Sequence, residues 1–475
     1  MSVADAPARE PDDGPDKAPP LLASPGRVTA AATMALAQVK AQASTHAGRA
    51  VVARILGLPI SAVLAFATSR IIIDQYGFES YGLFALVLAI PALLPSKDLG
   101  LGAKVIDVVA RRASLGAEEV EATLGAAVTR VTRIALVGIV GVFVIQSSVG
   151  WHELLGGDSR RFPSVAISVA LALFILSLPG ALSGSVLWGL RRNDVVALQA
   201  PLFTLGSFLS VSGVAAVGLP LWVAVIATMA ASCVIQWSTL YVVVDRLGIS
   251  RRALFANSAR RHVASFRGSA VPMLVISTAS AAGYQTDRVV LSHVAGALDV
   301  ARYSVVAQLY LPLWAVISSA GYTLWGKYAV ERDAGAVASA RFWRTEMRFV
   351  AVGAVAAILL TTLGPPVLAA LLGVHVSVWL CAAFGLFLAA QSAGLPIGML
   401  LTDERGLRSQ AVLFIGMVAV NIELSLVWAR SLGAVGPVLA SATAYVSIVL
   451  LPTAYMTKRL LSRRTAVVAP ASAVQ

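Results

Sequence analysis

The sequence predicts an all-α integral membrane protein of about twelve transmembrane helices, arranged as two pseudo-symmetric halves of six. Three observations predict it. The 475 residues are 58% hydrophobic and only 13% charged, with a mean hydropathy of +0.80, a composition that excludes a soluble multidomain enzyme. Twelve windows of about 20 mostly apolar residues are each long enough, as helices, to cross a hydrocarbon core of roughly 30 Å. The basic residues fall into alternate connecting segments, as cytoplasmic loops require.

Residues 1–50 are expected to form a cytoplasmic tail. As far as about Arg27 it is rich in Pro, Asp and Ala and cannot bury enough surface to offset the entropy of ordering, so it is expected to be disordered. Val28 to Arg49 is Ala-rich, polar and compatible with a helix. No apolar stretch with a small-residue cleavage site follows a basic start, so a signal peptide is not expected. The first bundle, residues 51–244, holds the windows Val51 to Ile73, Tyr81 to Ile106, Val131 to Gly150, Ser164 to Leu190, Val195 to Val217 and Leu221 to Val244. A basic linker, residues 245–268, is the longest connection. The second bundle, residues 269–457, holds Ser269 to Ser292, Tyr303 to Trp325, Phe349 to Leu372, Val378 to Leu401, Gln410 to Trp428 and Val438 to Met456. Residues 458–475 form a second cytoplasmic tail.

With the N-terminus inside, 28 of the 37 Lys and Arg residues lie in the seven inner segments. The central linker is the most basic, with Arg246, Arg251, Arg252, Arg260, Arg261 and Arg267. Both ends are therefore expected in the cytoplasm, and the net charge of +13 points to an anionic leaflet rather than to nucleic acid. Cys233 and Cys381 lie in apolar runs without metal-ligand spacing, and the five histidines are scattered over loops and helix ends. Neither a disulfide framework, a metal site nor a cofactor is expected. No Walker sequence is present, so ATP is not the expected energy source. No loop is long enough to fold as a separate catalytic domain, which argues against a membrane glycosyltransferase or polymerase.

An ionised side chain near the bilayer centre costs at least about 2.5–3.5 kcal/mol, so such residues usually face a wet cavity or a partner. In the second window Pro91 and Pro95 lie one turn apart and Lys97 and Asp98 follow, either as a hydrated bend facing the interior or as a pair snorkelling to the cytoplasm. In the seventh window Tyr284, Gln285, Asp287 and Arg288 interrupt an apolar run. Neighbours on a helix diverge by about 100°, so Asp287 and Arg288 cannot share one face. Arg288, with its planar fork, suits anionic substrate groups, and Asp287 can carry a proton or Na⁺; the competing reading is a structural ion pair. Arg70 and Asp74 have i, i+4 spacing near the outer end of the first window, as a substrate contact or an interfacial pair. Glu423, beside Asn421, has no local partner and reads equally as a coupling-ion site or a buried hydrogen-bonding group.

A faint internal repeat joins the halves. "SRIII" followed by "YGLFALVLAIPALLPSKDLG" parallels "DRVVL" followed by "YSVVAQLYLPLWAVISSAG", aligning Arg70, Tyr81, Pro91 and Gly100 with Arg288, Tyr303, Pro312 and Gly321. An even number of spans separates the copies, so the repeat axis runs along the membrane normal, and two such bundles suit alternating access around a central cavity.

The run "QTDRVVLSHVAGALDVARYSVVAQLYLP", Gln285 to Pro312, resembles the seventh-to-eighth helix signature of Wzx-type polysaccharide flippases, and "YGFESYGLFALVLAIPALLPSKDLGLG", Tyr76 to Gly102, resembles their first-to-second helix signature. Those proteins belong to the multidrug/oligosaccharidyl-lipid/polysaccharide (MOP) exporter superfamily. The likeness spans nearly the whole membrane part and separates the superfamily from other twelve-helix transporters better than it separates the branches. It implies a bacterial inner-membrane flippase for polyprenyl-diphosphate-linked oligosaccharide in surface polysaccharide synthesis, such as O-antigen of lipopolysaccharide or exopolysaccharide. It also implies polysaccharide polymerase and assembly proteins as partners besides membrane lipids. On this reading Arg288, Lys97, Arg70, Asp98 and Gln285 contact substrate, and Asp287 and Glu423 couple to H⁺ or Na⁺. A cation-coupled multidrug exporter and a lipid II flippase of the same superfamily are the alternatives. The first is disfavoured by a slight excess of intramembrane cations, the second by the absence of two further helices after Met456.

Overall fold

The computed structural model describes residues 46–92, 101–156, 158, 161–250, 252, 254, 270–333 and 337–468. All regular structure among them is helical. The first half consists of α1 (His46–Tyr76), α2 (Phe78–Ala92), α3 (Gly102–Ala110), α4 (Arg112–Leu115), α5 (Ala117–Ser148), α6 (Trp151–Leu155), α7 (Ser164–Gly189), α8 (Asn193–Val217) and α9 (Leu221–Arg246). The second consists of α10 (Ala270–Val294), α11 (Ala297–Asp333), α12 (Ser339–Leu372), α13 (Val378–Leu400), α14 (Glu404–Leu432), α15 (Val435–Ala444) and α16 (Leu451–Val468), the last two joined through a π-helical stretch, Tyr445–Leu450.

Among the described residues ten helices are long and apolar enough to cross a membrane, so the chain is a multi-pass membrane protein. The other two expected spans differ from that pattern for opposite reasons. In α2 the described helix is short, Phe78–Ala92, and the segment where a bend is expected, with Pro95, Lys97, Asp98 and Gly100, lies outside the described residues. In α10 the length suffices, but Tyr284, Gln285, Asp287 and Arg288 dilute its apolar character. Its packing against α14, α11, α2 and α15 supplies the partners that lipid would deny those side chains.

Several helices outrun the expected windows. α5 begins at Ala117 rather than Val131, and α12 at Ser339 rather than Phe349. The extra turns carry Glu118, Glu119, Glu121 and Arg130 in one case and Arg341, Arg344 and Arg348 in the other. A hydropathy window measures only the lipid crossing, whereas backbone hydrogen bonding carries the helix on into water.

Packing repeats between the halves with an offset of six spans. α1 lies on α8 as α10 lies on α14; α7 lies on α9 as α13 lies on α15; α5 lies on α7 as α12 lies on α13; and α3 lies on α7 as α11 lies on α13. Close approaches are made possible by glycines. At Gly180 a Cβ would collide with the backbone of Gln236 and Trp237 in α9, and at Gly353 with Ser392 in α13.

The two halves meet where α2 packs on α11. Gly82 sits so close to the Ala297 carbonyl and Ala301 that no side chain fits between them. Other contacts between the halves gather at this same end, away from the basic segments and called outer below. Ala297 N donates to Asp158 Oδ2 (2.8 Å), a ring nitrogen of His293 pairs with the Glu153 carbonyl (3.0 Å), and Ser69 Oγ donates to Gln308 Oε1 (3.0 Å).

Candidate functional site

A cavity of about 460 Å³ opens within the second half, inside the size range usual for small-ligand sites. One face of α10 lines it with Ser277, Ser280, Ala281, Tyr284 and Gln285, a run at helical spacing. α11 adds Trp314, Tyr322 and Trp325; α13 adds Gln391, Gly394 and Gly398, with Thr402 in the turn after it; α14 adds Gln410 and Phe414. Tyr445 and Val449 come from the π-helical stretch, Thr453 from α16, and Ala92 is the contribution of the first half. Among the described lining residues none is Lys, Arg, Asp or Glu.

The polar groups of the wall are held in place by one another. Gln391 Nε2 donates to the Tyr284 hydroxyl at 2.7 Å, and Gln391 Oε1 accepts from the Tyr310 hydroxyl. Phe387 packs behind them against Tyr284, Tyr310 and Tyr445. Gln410 Nε2 is fixed by the Leu401 carbonyl at 2.8 Å, which leaves Oε1 near Gly398. Gly394 has no Cβ because the Tyr445 hydroxyl occupies that space. Aromatic faces and oriented amides therefore present a neutral, amphipathic surface.

Asp287 and Arg288 turn away from each other, as adjacent helical positions must. Asp287 is only 2% exposed. It accepts from Tyr303 of α11 (3.2 Å), from Asn421 Nδ2 (3.3 Å) and Ser425 Oγ (3.5 Å) of α14, and from Ser441 Oγ of α15 (3.1 Å). Asn421 also donates to the Gly283 carbonyl at 2.8 Å, and its Oδ1 accepts from Ser441 at 3.1 Å. Four spans are tied together through one carboxyl group. Arg288 is half-buried, donates to Ser304 Oγ at 3.1 Å and to Gln285 Oε1, and lies 5.4 Å from the centre of the Tyr303 ring. These contacts offset part of the cost of holding a guanidinium at membrane depth.

The other expected site residues fare differently. Gln285 lines the cavity and orients Arg288. Arg70 pairs with Asp74 at 2.6 Å, both half-exposed, and its guanidinium lies against Gly373 at the end of α12. Lys97 and Asp98 lie outside the described residues. Glu423 requires a correction: it is exposed, on a stripe of α14 with Val412, Ile415, Leu426 and Val427, while Asn421 and Ser425 take the buried face. Position relative to a helix face, not depth, decides its environment. The 460 Å³ cavity belongs almost wholly to the second half, and none of its described lining residues is a cation.

Sequence reasoning missed Gln391, Gln410, Ser441 and the cavity role of Trp314, Tyr322 and Trp325. Single amides in apolar runs were the available signal for the first two. Trp325 ends its window, where hydropathy cannot distinguish a cavity wall from an interfacial anchor. Glu346 in α12, 3% exposed with no hydrogen-bond partner for Oε2 among the described residues, was hidden among the arginines around it.

No family model matches the chain, and no curated protein matches its sequence. Solved structures do match. The lipid II flippase MurJ in an inward closed conformation superposes with a TM-score of 0.64 at 14% identity, over 86% of this chain and 87% of that one. An inward-facing multidrug resistance MATE family transporter of the MOP superfamily gives 0.64 at 12% identity, over 88% and 100%. An outward-facing structure of such a transporter gives 0.54 at 12% identity, over 90% and 98%. The chain thus has the fold of these membrane transporters.

Proposed function

We propose that this chain is a flippase of the MOP exporter superfamily. It moves a polyprenyl-diphosphate-linked oligosaccharide from the cytoplasmic to the outer leaflet of a bacterial plasma membrane for surface polysaccharide synthesis, with both termini cytoplasmic. The observation that carries this reading is the neutral cavity walled by Tyr284, Trp314, Tyr322, Trp325, Phe414 and Tyr445 with Gln285, Gln391 and Gln410. Flat aromatic faces accept the C–H faces of a sugar, and amides match its hydroxyls as donors and acceptors. The described wall offers no acidic partner for an organic cation, yet its aromatic faces can hold one, so a multidrug exporter stands as the second reading.

Moving the diphosphate is the hard step, because desolvating it without a counter-charge is prohibitive. Arg288 stands beside the cavity, linked to it through Gln285, and the hydrogen bonds described for it go to neutral side chains, so its guanidinium can still pair with an anion. Lys97, Asp98 and Arg70 are the further contacts proposed along the path. Asp287, surrounded by the Tyr303, Ser425 and Ser441 hydroxyls and the Asn421 amide, is the group we assign to a proton or Na⁺. Occupancy there alters the fit of α10 against α11, α14 and α15, which couples the ion to the rocking of the two bundles. Outward opening requires that the bonds Ser69–Gln308, Ala297–Asp158 and His293–Glu153 break.

Replacing Arg288 with Ala is expected to abolish surface polysaccharide while leaving the protein's membrane abundance intact. Normal polymer output from that variant rejects the contact. The same strain separates the lipid II reading: failure of wall synthesis rather than of surface polymer points to lipid II as the cargo.

A further inference from the structure

At the basic end of the first half, the turn between α7 and α8 is flanked by two surface pockets that share Leu190. One, about 360 Å³, is formed by Ala110, Arg112, Ala113 and Gly189 to Arg191. The other, also about 360 Å³, has Arg192 and Arg246 at its rim and Leu187, Val195, Val242 and Val243 as its wall. Four arginines thus surround one helix end. Gly189 allows the close approach, since a Cβ there would strike Val109 and the Ile106 carbonyl of α3.

Arg191 is the one non-glycine residue with positive φ, 58°, among the described residues. It occupies the left-handed position that ends α7, with its amide on the Trp188 carbonyl (2.9 Å), while the Arg192 amide reaches the Leu187 carbonyl (2.9 Å). Glycine is the usual occupant of such a position. A long cationic side chain held there in a disfavoured backbone conformation points to a use for its charge. Arg192 is engaged with Asp194 at 3.0 and 3.2 Å. With Arg192 so engaged, the charge available to a ligand comes chiefly from Arg112, Arg191 and Arg246.

The second pocket continues into an apolar surface. Val242 and Val234 of α9, Leu198 and Leu202 of α8, and Trp188 in the last turn of α7 are all exposed. A charged rim beside exposed aliphatic side chains, with a tryptophan in the helix end that carries Arg191, matches an amphiphile with an anionic head better than a free anion.

We propose that the α7–α8 turn and the end of α9 bind an anionic phospholipid of the adjoining leaflet. Arg191 and Arg246 hold its phosphodiester, and its acyl chains lie along Val242 and Leu198. The identity of that leaflet as cytoplasmic rests on the orientation given above; the binding itself does not. The test is native mass spectrometry of the full chain in detergent, titrated with phosphatidylglycerol or with phosphatidylcholine of the same acyl chains, with and without inorganic phosphate. The intact chain is expected to retain phosphatidylglycerol with about tenfold preference, and phosphate at equal concentration is expected not to displace it. The double variant Arg191→Gly/Arg246→Ala is expected to lose that preference. Glycine suits the backbone at 191 and Arg246 is exposed, so the fold should survive, as thermal unfolding checks. Arg405→Ala, on an exposed arginine elsewhere at the basic end, is expected to leave the preference intact. Equal retention of the two lipids, a preference surviving in the double variant, an equal loss in Arg405→Ala, or displacement by phosphate alone overturns the proposal.

Discussion

Asp287 accepts hydrogen bonds from Tyr303, Asn421, Ser425 and Ser441, which belong to three helices other than its own. Asp287→Asn preserves shape and one acceptor but removes the charge, so transport is expected to lose its dependence on Na⁺ or pH while the unfolding temperature stays close to that of the intact chain. Asp287→Ala strands several buried donors at once, each costing about 1–3 kcal/mol, and a clear fall in thermal stability is expected. Glu423→Gln, on the exposed face of α14, is expected to change neither transport nor its ion dependence; loss of coupling in that variant assigns the ion to the wrong carboxylate. The interruption at Asp287 was legible because an acid in an apolar run is conspicuous. Its partners were not, since Ser441 lies 154 residues away in sequence and a serine in a helix carries no signature of what it faces.

At the scale of helices, hydropathy located the spans and misjudged their ends, because polar turns extend α5, α11 and α12 into water. The count held where apolar length is the physical requirement. α10 shows the limit of that logic: its polar residues lower its hydropathy just where α14 and α11 surround it. Gly82 marks the closest approach of α2 and α11. A Gly82→Val substitution is expected to cost about 1–3 kcal/mol through overpacking and to favour the state in which the outer ends separate. Accessibility of a cysteine placed at Ser69 to a membrane-impermeant thiol reagent reads this shift, and no change in labelling argues that the α2–α11 contact is not the outer closure. The π-helical stretch that carries Tyr445 and Val449 to the cavity had no sequence signal, since such insertions are set by packing rather than composition.

Taken as two bundles, the molecule repeats its helix contacts with an offset of six spans, which the aligned pairs Tyr81/Tyr303 and Pro91/Pro312 foreshadow. Equivalent positions have nevertheless diverged in use: Arg70 is half-exposed with Asp74, whereas Arg288 is half-buried among neutral groups. Cysteines replacing Ser69 and Gln308, joined by a short thiol crosslinker, are expected to arrest transport until the link is cleaved; Cys233 and Cys381 are buried and contribute little background. The cargo is the central claim, and reconstitution addresses it most directly. In liposomes, a fluorescent polyprenyl-diphosphate-linked oligosaccharide is expected to become accessible across the bilayer with the intact chain and not with Arg288→Ala. Accessibility no greater than in protein-free liposomes, alongside export of an organic cation by the same preparation, contradicts the proposed function.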